Sequence, residues 1–408
     1  MIDELVEAAE PGLVAMPSGR YFGFVIGGVV PAALAADWLT STWDQNAGLY
    51  VGGPAAAVVE EVAGEWLRQL LGLPAGVSFG FVTGCQMAHV TALAAARHHV
   101  LAAAGHDVAQ DGLHGAPPIR VVVGEERHVT IDRALRLLGI GSSQLVLVPA
   151  DGQGRMLADR LPEALAGGPM IVCAQAGDVN TGAFDPLEAI ADAVAEAGAW
   201  LHVDGAFGLW AAASPRLRHL VAGAERADSW ATDAHKWLNV PYDSGLVFCR
   251  HPDAHRAAMA VHASYLVHAP PGAERDQMDW NPEFSRRARG FPVYAAIRSL
   301  GRRGVAELVE RCCEAARLFA ELLGRTDGVE ILNDVVLNQV LVRFGDDDER
   351  TREVIREVQE DGTCWLGGTT WHGRAAMRIS VSNWRTTAED VERSAAAILR
   401  AAATARAA

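Results

Sequence analysis

The sequence carries a single lysine, Lys236, in the segment Asp233–Asn239. Lys and Arg together number 35, and all the others are Arg, whose guanidinium stays protonated and cannot act as an amine nucleophile. A lysine amine can, once burial or a neighbouring charge lowers its pKa. The residue type therefore predicts a lysine that forms a Schiff base with a carbonyl compound. A genome biased towards Arg codons, leaving one lysine by chance, explains the same observation.

Three further groups have the types and positions that a charged cofactor requires. Asp204 ends the apolar run 200–203, where a carboxylate is costly unless it meets a cation such as a protonated ring nitrogen; capping the next turn is the structural alternative. Residues 83–86, Thr-Gly-Cys-Gln, follow a predicted strand and open a predicted helix, whose first N–H groups can bind an anion. Tight packing explains the glycine equally well. His128 lies in a strand-to-helix loop, where a histidine is more often a cap or a core residue than a catalytic one.

Composition limits the classes of protein to which the chain can belong. Its 408 residues, 50% hydrophobic and 21% charged, are typical of a globular protein with one large and one smaller domain. A net charge of -15 without a basic run disfavours binding to nucleic acid or to anionic membranes. The first five residues lack the basic region of a signal peptide, and no apolar run is long enough to span a bilayer. We therefore expect a cytoplasmic protein.

The cysteines and histidines do not predict a metal site. Six cysteines lack paired CxxC spacing and mostly lie in apolar segments, which indicates buried free thiols. His251 and His255 are four residues apart, but the glutamate of a zincin motif is missing and Pro252 argues against a helix there. No GxSxG motif supports a serine hydrolase. We expect no bound metal.

Short apolar runs alternate with Ala- and Leu-rich amphipathic stretches from about residue 55 onwards. Strands are predicted at 78–82, 119–123, 145–149, 170–174, 200–204 and 245–250. This alternation predicts an α/β fold with a mostly parallel central sheet, whose ligands bind at the carboxyl ends of the strands. We expect an N-terminal arm over residues 1–50, a large domain over 51–290 and a smaller C-terminal α+β domain over 291–408.

The order of these motifs resembles that of one enzyme family. A glycine loop, a His, an Asp-x-Ala and a His-Lys pair occur in this order in the group II amino-acid decarboxylases, which use pyridoxal 5'-phosphate (PLP) and have the aspartate aminotransferase fold, fold type I. Residues 177–186 are similar to the family's Gly-Thr-Thr-x-x-Gly-Ala-Phe-Asp-Pro segment, and residues 228–237 to its Asp-Ser-x-x-x-Asp-x-His-Lys-Trp segment. Runs at 285–289 and 378–383 also correspond to family segments. The resemblance covers nearly the whole chain, and His-Lys-Trp is its most specific part.

The resemblance implies a role for each side chain around the cofactor ring. Lys236 would carry PLP as an internal aldimine and release it to the substrate amine. Asp204 would pair with the pyridinium nitrogen and keep it protonated, so that the ring accepts electrons from the bond that breaks. His128 would stack on one face of the ring and Ala206 would pack against the other.

Further contacts are implied at the two ends of the cofactor. The phosphate would be held by backbone groups of three residues, Gly84, Cys85 and Gln86. His235 would contact the phosphate or the Schiff base, and Asn180 would replace the family threonines that approach the cofactor. Arg378 would meet the substrate carboxylate, for which a planar guanidinium is suited. The resemblance also implies a homodimer with its sites between the subunits.

The segment that should protonate the substrate carbon departs from the family pattern. Relatives generally use a tyrosine on a mobile loop, which corresponds here to residues 268–280 and contains no tyrosine. Tyr265, just before this loop, or a histidine could take that role. The sequence therefore predicts an L-amino-acid decarboxylase, with oxidative deamination to an aldehyde, transamination or a C–C lyase reaction as alternatives. A non-catalytic PLP-binding protein is the remaining class.

The side chain of the amino-acid substrate is predicted less directly. Residues 21–25 together with Val29 and Val30 are apolar or aromatic, apart from one glycine. If they line the pocket, they favour an apolar or aromatic substrate. The alternative is that they belong to the core.

Overall fold

A computed structural model describes residues 1–165, 167–261 and 274–405. The strands of the described residues are β1 (Ser78–Val82), β2 (Arg120–Gly124), β3 (Leu145–Val148), β4 (Met170–Gln175), β5 (Trp200–Asp204), β6 (Ser229–Asp233), β7 (Gly245–Cys249), β8 (Val329–Ile331), β9 (Gln339–Phe344), β10 (Gly367–Trp371) and β11 (Arg374–Ser380). The α-helices are α1 (Ile2–Ala9), α2 (Pro31–Trp43), α3 (Pro54–Leu70), α4 (Cys85–Ala103), α5 (Val108–Asp111), α6 (Val129–Leu137), α7 (Leu161–Ala164), α8 (Leu187–Ala197), α9 (Ala234–Trp237), α10 (Pro252–Met259), α11 (Gly290–Gly324), α12 (Asp348–Asp361) and α13 (Ala388–Thr404).

The central sheet has seven strands in the order β1-β7-β6-β5-β4-β2-β3. Strand β7 runs antiparallel to both of its neighbours, and the other six strands share one direction. This arrangement confirms the predicted α/β fold with a mostly parallel sheet. Because the six strands run the same way, their carboxyl ends meet at one edge, where the connecting loops can form a binding site.

The second sheet has four antiparallel strands in the order β10-β11-β9-β8. Helix α12 packs on this sheet, α13 packs on the long helix α11, and α12 and α13 contact each other. The α+β character predicted for the C-terminal part is confirmed. The limits at residues 50 and 290 stay a prediction, although α11 begins at Gly290 and links the two sheets.

One helix start differs from the sequence expectation. Helix α10 begins at Pro252 and contains His255, whereas Pro252 was expected to prevent a helix. Proline is tolerated in the first turn because its φ is already helical and the N–H it lacks would have no partner there. Among the helices described, none combines the length and apolar composition needed to cross a membrane.

The apolar residues of the N-terminal arm belong mainly to the core. Phe22 is fully buried with its ring 4.9 Å from that of Phe319, and Val25 and Val30 lie in the same buried cluster. Phe24 remains 60% exposed. The core interpretation of residues 21–30 is therefore the one the structure supports, and these side chains do not argue for an aromatic substrate.

Asn239, three residues after the lysine, joins distant parts of the chain. The Gly28 N–H donates to its Oδ1 at 2.7 Å and the Val30 N–H to its carbonyl at 2.9 Å. Its own amide donates to the Ser382 carbonyl at 2.9 Å, and the Trp384 N–H donates to Oδ1 at 2.9 Å. Asn239 has a φ of 56°, a conformation that asparagine adopts more readily than most residues. The lysine segment is thus held by both the N-terminal arm and the C-terminal part.

A fully buried ion pair lies between α3 and β1. Arg286 Nη1 is 2.8 Å from Glu60 Oε2, and neither side chain is exposed. The same guanidinium donates to the Ala47 carbonyl at 2.8 Å and to the Phe81 carbonyl of β1 at 2.6 Å. Because these bonds join the arm, α3 and β1, the pair fixes several elements around one charge.

Candidate active site

A cavity of about 240 Å³ lies at the carboxyl edge of the central sheet. Gln175, Asp204 and Asp233, the last residues of β4, β5 and β6, all line it. Eight of the residues singled out in the sequence also line it: Gly84, Cys85, Gln86, His128, Asp204, Ala206, His235 and Lys236. The parallel strand order therefore brings together side chains that are far apart in the sequence.

Lys236 lies beside a carboxylate that the sequence analysis did not assign. Its Nζ is 3.0 Å from Asp233 Oδ2, and Asp233 is buried. Burial alone would lower the pKa of Lys236, but Asp233, Cys85 and Asp204 outweigh it and raise that pKa. The lysine backbone is packed closely as well, because a Cβ on Gly27 would stand 1.8 Å from the Lys236 carbonyl oxygen. The amine is therefore held as an ammonium beside Asp233.

Asp204 is held ionised at the end of β5. Its Oδ1 accepts the Ala206 N–H at 3.1 Å, and its Oδ2 is 3.4 Å from His89 Nε2. Burial would raise the pKa of Asp204, but His89, His128 and Lys236 hold it well below its usual range. A carboxylate that stays charged inside the protein suits the pairing with a protonated ring nitrogen.

The position of His128 is compatible with both interpretations, a helix cap and a ring that packs against a cofactor. It is the N-cap of α6, where its Nδ1 accepts the Thr130 N–H at 3.4 Å and lies 2.8 Å from the Thr130 hydroxyl. Its ring also lines the cavity, and burial lowers its pKa. The cap fixes the ring while leaving a neutral imidazole face beside Asp204.

A backbone N–H at the start of α4 donates to a carboxylate of the protein itself. The Cys85 N–H, expected to face a phosphate, donates to Asp233 Oδ1 at 2.6 Å. His235 accepts the Ser244 N–H on Nδ1 at 3.0 Å, so its Nε2 carries the proton and faces Asp233 Oδ1 at 3.4 Å. A Cβ on Gly245 would meet the Gly84 backbone at 2.4 Å, which explains the glycine at that position. Asp233 therefore organises the lysine, the histidine and the helix start together.

Two predicted site residues, Asn180 and Arg378, are not among the described residues that line this cavity. The Asn180 amide oxygen accepts the Thr369 hydroxyl at 3.0 Å, which directs it towards β10. Arg378, in β11, donates to the carbonyl of the lining residue Val179 at 3.2 Å and is therefore at the cavity edge. Tyr265 and residues 268–273 of the predicted loop 268–280 lie outside the described residues.

Several lining residues were missed by the sequence analysis: Thr130, Gln175, Gly177, Val179, Phe207 and Asp233. Asp233 could have been found, because it lies three residues before the lysine and ends a buried run. His89, which contacts Asp204, could also have been found from its position one helical turn after Cys85. The others depend on loop shape, for which the sequence carries no local signal.

Two other features of the described residues are also candidate binding sites. A larger cleft of about 570 Å³ includes Trp200, His251 and Met170, at the amino ends of β4 and β5, and so lies opposite the edge where such sheets bind ligands. Cys85, His89 and Asp204 could also hold a metal ion, since their ligand atoms lie within 4.8 Å of one another. Burial raises the pKa of the Cys85 thiol well above its usual range, which opposes the thiolate that a metal prefers.

The donor set of the cavity fits PLP. It combines one amine for a carbonyl group, one ionised carboxylate for a ring nitrogen, and a histidine ring and the Ala206 methyl as flat packing surfaces. The Gln86 Oε1 is buried without a hydrogen-bond partner among the described residues, which a ligand or water at the cavity would satisfy. Lys236, Asp204, His128 and Ala206 would hold the ring, and Gly84, Gln86 and His235 surround the end near Asp233.

Comparisons with known proteins agree with this chemistry. A sequence model of the pyridoxal-dependent decarboxylase conserved domain matches residues 5–344. Tryptophan decarboxylase 1 of Oryza sativa subsp. japonica is 29% identical over 93% of this chain and 79% of that protein. An acidic amino acid decarboxylase of Bos taurus is 29% identical over 77% of this chain and 61% of that protein. The crystal structure of Oryza sativa TDC with PLP and tryptamine has a TM-score of 0.92 and 26% identity, covering 98% of this chain and 87% of that one.

Proposed function

The chain belongs to the pyridoxal-dependent decarboxylase family, and from this premise we propose that it decarboxylates an apolar or aromatic L-amino acid, with Lys236 as the residue that carries the cofactor. It is a PLP-dependent carboxy-lyase that acts on an amino acid, as its family and its relatives indicate. When bound, PLP supplies an electron sink for the electrons of the bond that breaks. The residues of this chain must then bind the substrate, exclude water and move protons.

Asp233 is the group that we propose handles the lysine proton. The ammonium must lose a proton before its nitrogen can act as a nucleophile. Asp233 Oδ2, at 3.0 Å from Nζ, is placed to accept that proton. His235 Nε2 and the Cys85 N–H both face the other carboxylate oxygen, so the carboxylate keeps its position when the lysine proton moves.

The substrate proposal depends on the number of cations near the cavity. Lys236 is the sole Lys or Arg among the described lining residues, and Arg378 reaches the edge through Val179. Arg378 can hold the α-carboxylate of an amino acid, but a second carboxylate would find no further Arg or Lys there. The cavity also contains two carboxylates, Asp204 and Asp233, whose negative charge opposes a further one. An acidic side chain is therefore disfavoured, and Val179 and Phe207 offer apolar contacts.

Assembly, location and the proton donor belong to the same proposal. We infer a homodimer with sites between subunits, as the resemblance implies. We also infer a location in the cytoplasm, which is supported by a net charge of -15 that disfavours binding to anionic membranes. Tyr265 or a histidine is the proposed donor to the substrate carbon. An amine product requires such a donor, whereas aldehyde formation does not.

The first test is product analysis with the PLP-loaded protein. We expect tryptophan, tyrosine or phenylalanine to give carbon dioxide and the corresponding amine, and glutamate, aspartate and cysteine sulfinate to give much less. Mass spectrometry of each reaction identifies the product. Keto acids or aldehydes without amines would contradict simple decarboxylation, and faster turnover of the acidic substrates would contradict the apolar pocket.

Replacing Arg378 tests how the substrate carboxylate is held. We expect Arg378→Leu to raise KM by about 10- to 100-fold, because a charged hydrogen-bonding partner of the carboxylate is lost. Arg374→Leu is the matched control, since Arg374 lies in the same strand and its side chain is 49% exposed. Steady-state kinetics of both variants measure this effect. An unchanged KM in Arg378→Leu would show that Arg378 does not bind the substrate carboxylate.

A further inference from the structure

A row of buried polar side chains leads away from Asp204 into the protein. Trp200 Nε1 donates to Ser229 Oγ at 2.9 Å, which is 2.9 Å from His202 Nδ1. His202 Nε2 is 2.9 Å from His89 Nδ1, and His89 Nε2 is 3.4 Å from Asp204 Oδ2. We call this row of five side chains the relay. Its two ends, Trp200 and Asp204, both lie in β5.

The secondary structure explains why these side chains meet. Residues 200, 202 and 204 alternate along β5 and share one face of the sheet. Ser229 is the Cα partner of His202 in the neighbouring strand β6, and His89 reaches down from α4. All five side chains are buried, so each polar atom depends on its neighbour in the row.

The donors and acceptors of the relay point in one direction. The indole of Trp200 can only donate, so Ser229 Oγ accepts from it, and the Ser229 hydroxyl hydrogen then finds its acceptor in the relay at His202 Nδ1. Burial lowers the pKa of His202 to about 3, which keeps that ring neutral with its proton on Nε2. His202 then donates to His89 Nδ1, and the remaining His89 proton is on Nε2, facing Asp204.

The reverse direction is disfavoured. It would leave the Ser229 proton without an acceptor in the relay. It would also place a bare His89 nitrogen against the Asp204 carboxylate, with the weakly donating Cys85 thiol, 3.4 Å from Nε2, as its partner. A doubly protonated His89 would still present Nε2–H to Asp204. The arrangement in which His89 donates to Asp204 is therefore the one that leaves the fewest buried polar atoms of the relay without a partner.

We propose that His89 is a positioning residue for cofactor binding: its Nε2–H fixes and keeps ionised the Asp204 carboxylate, and the neutral relay behind it fixes the tautomer of His89. This inference rests on the proposed pairing of Asp204 with the ring nitrogen of PLP. The second carboxylate oxygen is restrained by the Ala206 N–H at 3.1 Å. His89 itself does not line the cavity. It therefore acts through Asp204.

The test compares variants that keep or remove this donor. Gln can place an amide N–H where His89 has Nε2, whereas the shorter Asn places it where His89 has Nδ1, and Leu offers no donor. We expect His89→Leu and His89→Asn to weaken PLP binding by the apoprotein about 10- to 100-fold, and His89→Gln to bind within a few-fold of the original protein. His98→Leu, on the same helix but outside the relay, is the control.

Two measurements that do not depend on turnover give the result. Titration of the apoprotein with PLP gives the dissociation constant, and ¹⁵N NMR of PLP labelled at the ring nitrogen reports whether that nitrogen is protonated. Protonation should persist in His89→Gln and decrease in His89→Leu. If His89→Leu does not fold, the Gln and Asn pair carries the comparison.

The outcomes separate this inference from the proposed function. Weakened binding and lost ring protonation in Asp204→Ala, with His89→Leu and His89→Asn unchanged, would overturn the role of His89 alone. No effect in Asp204→Ala would overturn the ring-nitrogen pairing itself. Stoichiometric metal in the original protein that is lost in His89→Gln would show that Cys85, His89 and Asp204 hold an ion, and would also overturn the inference.

Discussion

Lys236→Ala is expected to abolish amine formation and the visible absorbance of bound PLP. The chain has no other lysine, so no second lysine amine can form the covalent link. Loss of covalent catalysis and of the positioned amine should reduce turnover by at least about 1,000-fold. Absorbance spectra after removal of free PLP, together with product analysis, measure both effects.

Lys236→Arg is the matched control for charge. The arginine keeps a cation beside Asp233, whereas in Lys236→Ala the buried carboxylate loses its lysine partner. Arginine cannot, however, supply a neutral amine. We expect this variant to be inactive too, with a thermal stability nearer to that of the original protein than Lys236→Ala. Substantial PLP absorbance that survives dialysis in either variant would contradict the assignment of the lysine.

Arg286→Met is expected to destabilise the fold more than any other single change of a charged residue discussed above. It leaves Glu60 buried without its cation and removes the bonds to the Ala47 and Phe81 carbonyls. Removing one partner of a buried pair typically lowers the free energy of unfolding by about 3–5 kcal/mol. Denaturant or thermal unfolding, followed by circular dichroism, measures the loss.

The double variant Glu60→Leu/Arg286→Met separates charge from packing. Because it removes both buried charges, it should be more stable than Arg286→Met alone. Arg303→Met is a surface control, since Arg303 is 92% exposed and pairs with Glu307 in the same helix. A stability of Arg286→Met equal to that of Arg303→Met would show that the buried pair has little influence on the fold.

The parts of the fold that the sequence predicted are those with local patterns. β-Branched and apolar runs identified β1 to β5 and β7. Strand β6, Ser-Trp-Ala-Thr-Asp, was quoted as a motif but not recognised as a strand, because it lacks such a run. It is nevertheless fully buried in the middle of the sheet, where its neighbours decide its conformation.

The site was predictable to a similar extent. Lys236, Asp204, Ala206 and His128 were found because each follows a strand or belongs to a specific motif. Asn180 was assigned from its position in a motif, yet its side chain is held by Thr369, a contact between residues 189 positions apart. Such contacts have no sequence signal in a single chain, and the same holds for the pairing of His202 with Ser229 in the relay.

The bonds of Asn239 have a consequence for the order of events during synthesis. Asn239 accepts hydrogen bonds from Gly28 and Val30, which are synthesised before the lysine. It also donates to the Ser382 carbonyl and accepts from the Trp384 N–H, both of which are synthesised well after the lysine. A nascent chain that stops short of Trp384 therefore lacks half of these restraints on Asn239. Cofactor capture should accordingly be completed only after the segment that contains Ser382 and Trp384 has emerged.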